Sequence, residues 1–191
     1  MNTEELNELK ERAYKTAVEH GFHEEEKPDA YWLGLVMSEA GEAINADRKG
    51  LRANVVRFVE DMELGNPFKE SFEAHIKDSV EDELADVVIR LLDFSGMKGY
   101  KLSIMTEPSF ASITIVGTFI KNGLPGTLFH LIGVLSDSLE DNSTEATVRV
   151  VINIISDCFE KMTGSDFHLW WFVEQKMRYN ETRAMLNGKR Y

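Results

Sequence analysis

Glu39 and Glu42 stand three residues apart, and so do Glu83 and Asp86. On an α-helix this spacing places two side chains on one face with Cβ atoms about 5–6 Å apart. Both pairs lie in apolar surroundings. At about 100° per residue, Trp32, Leu35, Ala43 and Ala46 share the face of the first pair, while Leu33, Met37 and Ile44 cover the other side. Ile76, Val80, Val87 and Phe94 flank the second pair, backed by Leu84, Val88, Leu91 and Leu92. Neighbouring carboxylates in such a setting repel one another unless protonated, paired or bound to a cation. If the two helices pack antiparallel, the four acids converge as hard oxygen ligands suited to Mg²⁺ or Mn²⁺ rather than zinc. Asp93, one heptad beyond Asp86, joins that face as an outer fifth ligand. Glu81 and Asp82 fall on other faces and are expected to be solvated.

The elements that must position these acids are helices. Asn2 or Thr3 as a cap, Glu4 and Glu5 in a first turn and Gly21 as a stop predict a helix over 4–20. Pro28 and Asp29 open a second over 29–46, and a third is expected over 72–97, ahead of Gly99. Between them, residues 47–70 hold Gly50, Gly65, Asn66 and Pro67 and read as an excursion with one short helix. Further helices are expected over 109–121, 125–139, 144–162 and 166–185, punctuated by Gly123, Pro125 and Gly164. Residues 148–155 are rich in β-branched side chains and could form a strand by propensity, but their length and caps favour a buried helix. The fold class expected is an all-α helical bundle, residues 1–191 forming one domain.

An echo within the chain suggests two halves. Leu33-Gly34-Leu35-Val36-Met37-Ser38-Glu39-Ala40-Gly41-Glu42 resembles Leu131-Ile132-Gly133-Val134-Leu135-Ser136-Asp137-Ser138-Leu139-Glu140, and each is followed by a helix with a similar apolar string. Either residues 107–165 are a shortened copy of 1–106 lacking the excursion, or shared helical periodicity accounts for the likeness. Where a copy would carry the second acid pair it has Ala146 and Arg149, which cannot hold a metal. Residues 166–191 form a final helix and a tail.

With 43% hydrophobic residues and four prolines in 191, the chain can bury a sizeable core. Thirty-three acidic against 21 basic residues give a formal net charge of −12, which disfavours nucleic acid and anionic membrane as partners. One cysteine, Cys158, excludes an intramolecular disulfide and fits a reducing compartment. No apolar run reaches the ~20 residues that a spanning helix needs, and Met1 to Lys10 lack a signal core, so a soluble cytoplasmic protein is expected. Among the aromatic residues ahead of the first acids, Phe22, His23, Tyr31 and Trp32, the candidates to contact a ligand are Trp32 and His23, though most aromatics at helical spacing are core. Lys176, Arg178, Arg183, Lys189 and Arg190 make the C-terminus locally basic, as a solvated tail or as ligands for an anion.

The two acid pairs, the second within Glu81-Asp82-Glu83-Leu84-Ala85-Asp86-Val87-Val88, together resemble the signature of the MazG-like branch of the all-α nucleoside triphosphate pyrophosphohydrolases. The tail Lys176-Met177-Arg178-Tyr179-Asn180-Glu181-Thr182-Arg183, with Asn187-Gly188-Lys189-Arg190 after it, is similar to the tail of that family. The resemblance covers about residues 20–46, 78–98 and 172–191. It implies that Glu39, Glu42, Glu83 and Asp86 bind Mg²⁺, and that Lys176, Tyr179, Asn180, Arg183 and Lys189 contact a nucleoside triphosphate. It implies hydrolysis of NTP or dNTP to the monophosphate and pyrophosphate. One carboxylate, Glu39 or Glu42, would act as base toward the attacking water; the spacing does not separate ligand from base. The superfamily also holds the dimeric dUTPases, which brings in a homodimer as a form of assembly. The chain departs from the pattern in its longer gap between Glu42 and Glu83 and in the added segment 107–163.

Two other readings compete. A ferritin-like di-iron carboxylate protein needs Glu-x-x-His on two helices, and Glu42-x-x-Asn45 and Glu83-x-x-Asp86 do not supply it. A non-enzymatic helical module, binding a basic partner through its acidic face, requires solvent-exposed acids.

Overall fold

The computed structural model describes residues 1–105 and 110–184, which form eight helices and, among those residues, no strand. The first helix, α1 (Thr3–Glu19), opens on a capping box: Asn2 Oδ1 accepts from the Glu5 amide at 3.0 Å, and Glu5 Oε2 accepts from the Asn2 amide at 2.8 Å. After Pro28 comes α2 (Asp29–Lys49), which runs one turn beyond the expected end and stops where Gly50 turns left-handed at φ 68°.

The excursion is built rather than looped out. It forms α3 (Val55–Glu63) and α4 (Phe68–His75), whose Phe58, Phe68 and Phe72 pack ring against ring. Backbone bonds from the Asn54 amide to the His75 carbonyl (2.8 Å) and from the Val80 amide to the Leu51 carbonyl (3.2 Å) tie its ends together. The expected helix over 72–97 is therefore two, α4 and α5 (Val80–Lys98). Asp78 sits between them at φ 62°, and Ser79 caps α5 by accepting from the Asp82 amide. A left-handed residue cannot continue an α-helix, and an apolar periodicity continuous through Ile76 and Val80 hides that break.

The second half supplies α6 (Phe110–Asp141), broken at Gly123 (φ 66°, ψ −169°) just before Pro125 as the punctuation predicts, and α7 (Thr144–Thr163). The β-branched run 148–155 lies inside α7 with Val148, Val151, Ile152, Ile154 and Ile155 buried, so packing overrides strand propensity. The last helix, α8 (Leu169–Asn180), is shorter than expected, and Met185 lies outside the described residues.

The centre of the molecule is α5. It packs against α1, α2, α7 and α8, while α2 also meets α6, which pairs with α7. Residues from every helix join one buried apolar cluster. The approach of α1 is close: a Cβ built on Gly96 would stand 2.5 Å from Tyr14 Cβ, so only glycine lets the two helices meet there. No helix among the described residues is long and apolar enough to cross a membrane.

Candidate metal centre

Because α2 and α5 pack along their length, their acids meet. Carboxylate oxygens of Glu39, Glu83 and Asp86 all lie within 4.8 Å of one another. Glu39 and Glu83 are only 4% and 5% exposed. Glu42, one turn further along α2, is exposed and stands outside this triplet. Three of the four expected ligands thus converge, and the fourth sits beside them.

Like charges crowd together in the triplet. Burial, followed by the charge of Asp86, pushes the Glu83 carboxyl up to about 8, with Asp82 and Glu42 adding to the effect and Lys176 opposing it. Two basic side chains hold the other members. Arg90 Nε donates to Glu39 Oε1 at 3.0 Å, and Lys176 Nζ lies 2.8 Å from Asp86 Oδ2. Arg90 follows Asp86 by one helical turn on α5 and its guanidinium lies 5.1 Å from the Phe22 ring centre. That i, i+4 relation was present in the sequence, but the partner on α2 was not.

The expectation that Glu81 and Asp82 are solvated fails. Glu81 is 3% exposed and accepts from the Ala53 amide at 3.0 Å, and Asp82 is fully buried. Asp82 Oδ2 accepts from the Asp78 amide at 3.0 Å and from Lys176 Nζ at 2.7 Å. The reason is that α5 is surrounded by four helices and by the Leu51–Ala53 stretch, so it has no solvated face at its N-terminus. Burial pushes Asp82 up to about 6 against the pull of Lys176. Carboxylate oxygens of Asp78, Asp82 and Glu83 form a second triplet that shares Glu83 with the first.

The C-terminal residues divide. Lys176, expected to contact phosphate, is 4% exposed and pinned between Asp82 and Asp86, joining α8 to α5. Burial alone would lower its pKa, but the charges of Asp86 and Asp82 more than offset this and raise it. Tyr179 turns away from the acids: its hydroxyl donates to Glu73 Oε1 at 2.8 Å and its ring stacks on Phe72 at 4.6 Å. Asn180 and Arg183 do reach the acids, since both line a pocket with Glu39, Asp86 and Arg90. Asn180 Oδ1 is buried there with no hydrogen-bond partner. The Arg183 guanidinium lies 5.8 Å from the Tyr179 ring centre. Lys189 lies outside the described residues.

Trp32 and His23 form a packed pair rather than an open face. Their rings stack at 4.4 Å, Tyr14 meets His23 edge-on at 5.0 Å, and Trp32 is 4% exposed. His23 Nε2 lies 2.7 Å from Asp93 Oδ1. Asp93 is therefore held by a histidine, outside both acid triplets, and not by the cluster it was expected to join. Its carboxylate lines the same pocket as Asn180. No family model, curated protein or solved structure matches this chain.

Proposed function

We propose that the protein is a Mg²⁺-dependent nucleoside triphosphate pyrophosphohydrolase, converting an NTP or dNTP to the monophosphate and pyrophosphate. The observation that carries the reading is the buried triplet Glu39, Glu83 and Asp86, whose oxygens crowd within 4.8 Å beside a pocket that also presents Arg90, Asn180 and Arg183. Buried like charges so placed are relieved by a divalent cation, and an all-oxygen donor set fits Mg²⁺, with Mn²⁺ as substitute. The likeness of both acid pairs and of the tail to the MazG-like enzymes supplies the reaction class.

Glu39, Glu83 and Asp86 would hold the ion, which supplies a positive field for the triphosphate and lowers the pKa of water. Arg90 and Lys176 each hold one of these carboxylates, Glu39 and Asp86, which sets their orientation before substrate arrives. Glu42, exposed and near Glu83, is the carboxylate left to take the proton of the attacking water; the bond that breaks joins the α-phosphorus to the pyrophosphate oxygen. Arg90 and Arg183 offset phosphate charge on a chain whose net charge is −12. All these side chains come from one chain, so a homodimer is not needed to assemble the site.

The burial of Glu39 and Glu83 weighs against an acidic docking face, and no histidine belongs to either acid triplet, as a ferritin-like di-iron centre would require. The test is pyrophosphate release from a panel of NTPs and dNTPs with Mg²⁺ or Mn²⁺. Turnover that requires the ion supports the reading, and failure to release pyrophosphate from any of them overturns it.

A further inference from the structure

The pocket beside the acids runs along α5. Asp86 and Asp93 both line it with Arg90 between them, and their seven-residue separation on one helix spans about 10 Å at 1.5 Å per residue. That matches the reach from the α-phosphate of a nucleotide to the edge of its base. A nucleotide whose phosphates lie at Glu39 and Asp86 therefore carries its base toward Asp93.

Asp93 offers an acceptor held in a set direction. His23 occupies Oδ1, and the His23 ring is itself wedged between Tyr14 and Trp32, which leaves Oδ2 for an occupant of the pocket. From the wall formed by α8, Asn180 Oδ1 is a second acceptor, buried and without a donor. A buried acceptor lacking a donor is destabilising and calls for an explanation. Asn180 Oδ1 is such an acceptor, and it lines one space with Asp93, which bears a second carboxylate oxygen beyond the one His23 holds, so the pair calls for a ligand that donates.

We infer that Asp93 and Asn180 read the base, and that they select nucleotides carrying an exocyclic amino group over those of uracil or thymine. This rests on the pyrophosphohydrolase reading above. An amino group brings two hydrogens to the acceptors, whereas uracil and thymine flank their single N3–H with carbonyls whose lone pairs face the same oxygens. A site built to accept from a donor rejects an analogue that leaves its buried groups unpaired. His23 is a positioning residue in this scheme, because it acts through Asp93.

The experiment compares dCTP with dUTP, which share a ring and differ at position 4 and in the proton on N3, by kcat/KM for pyrophosphate release with Mg²⁺. We expect dCTP to be favoured by about tenfold or more in the wild-type chain. Asp93→Asn keeps an oxygen for His23 and turns an amide donor toward the base, so it should narrow or reverse the ratio. Asn180→Ala, which removes the second acceptor without changing charge, should lower the ratio if the first variant fails to fold. Equal kcat/KM for the two nucleotides in the wild type, or an unchanged ratio in folded variants, overturns base selection and leaves the reaction standing. Absence of turnover with every nucleotide overturns both.

Discussion

Replacing Glu83 by glutamine should make the metal-free protein more stable at neutral pH while removing its response to Mg²⁺. The Glu83 carboxyl is raised from 4.5 to about 8 in the folded chain. The folded state therefore binds this proton more tightly than the unfolded state between those values, and stability falls as pH rises. The contribution of the protonated carboxyl is fully present below pH 4.5 and is lost as pH rises through 8. At about 1.36 kcal/mol per pH unit, the loss between pH 4.5 and pH 7 comes to about 3.4 kcal/mol, and solvent screening of the carboxyl reduces it to about 2. Glutamine stays neutral and keeps the shape, so the Glu83→Gln variant should exceed the wild type by about 2 kcal/mol at pH 7 in chelator and hardly differ at pH 4.5. Mg²⁺ at about 100 times its dissociation constant should stabilise the wild type by about 2.7 kcal/mol and the variant far less. Because the ion needs the deprotonated carboxylate, its affinity should climb with pH up to about 8. Urea midpoints from pH 4.5 to 8.5, with chelator or with Mg²⁺, measure all of this. Parallel pH profiles for the two proteins in chelator, or equal Mg²⁺ stabilisation, would refute the reasoning.

Lys176→Ala leaves the fully buried Asp82 without its cation, and such a loss destabilises by about 3–5 kcal/mol; Asp82→Asn added to it should recover most of that, as read from urea midpoints. Gly96→Ala forces a methyl against Tyr14 at the crossing of α1 and α5. It should lower stability by about 1–3 kcal/mol with the helical circular dichroism retained, and an unchanged melting curve would show that the crossing relaxes freely.

The pieces legible in the sequence are those set by local rules. Caps and stops at Asn2, Gly99 and Gly164 act within a turn of where they stand and could be placed from the sequence, whereas the Ser79 cap was read as helix interior and the Gly50 stop as part of the excursion. The i, i+3 spacing of the acids on apolar helices pointed to a buried carboxylate cluster, and Glu39, Glu83 and Asp86 form one. What surrounds a helix was not legible. Periodicity gives the angle of a side chain about its own axis but not what lies at that angle, and α5 meets another helix in almost every direction. Hence Asp82, read as solvated, is fully buried and paired with a lysine 94 residues away, and Glu39 is held by Arg90 across 51 residues. The same gap explains Trp32 and His23, whose rings pack on each other to aim Asp93. Ion pairs between distant residues form only after the chain has brought the helices together, so tertiary packing alone decided which acids stayed open and which were already held.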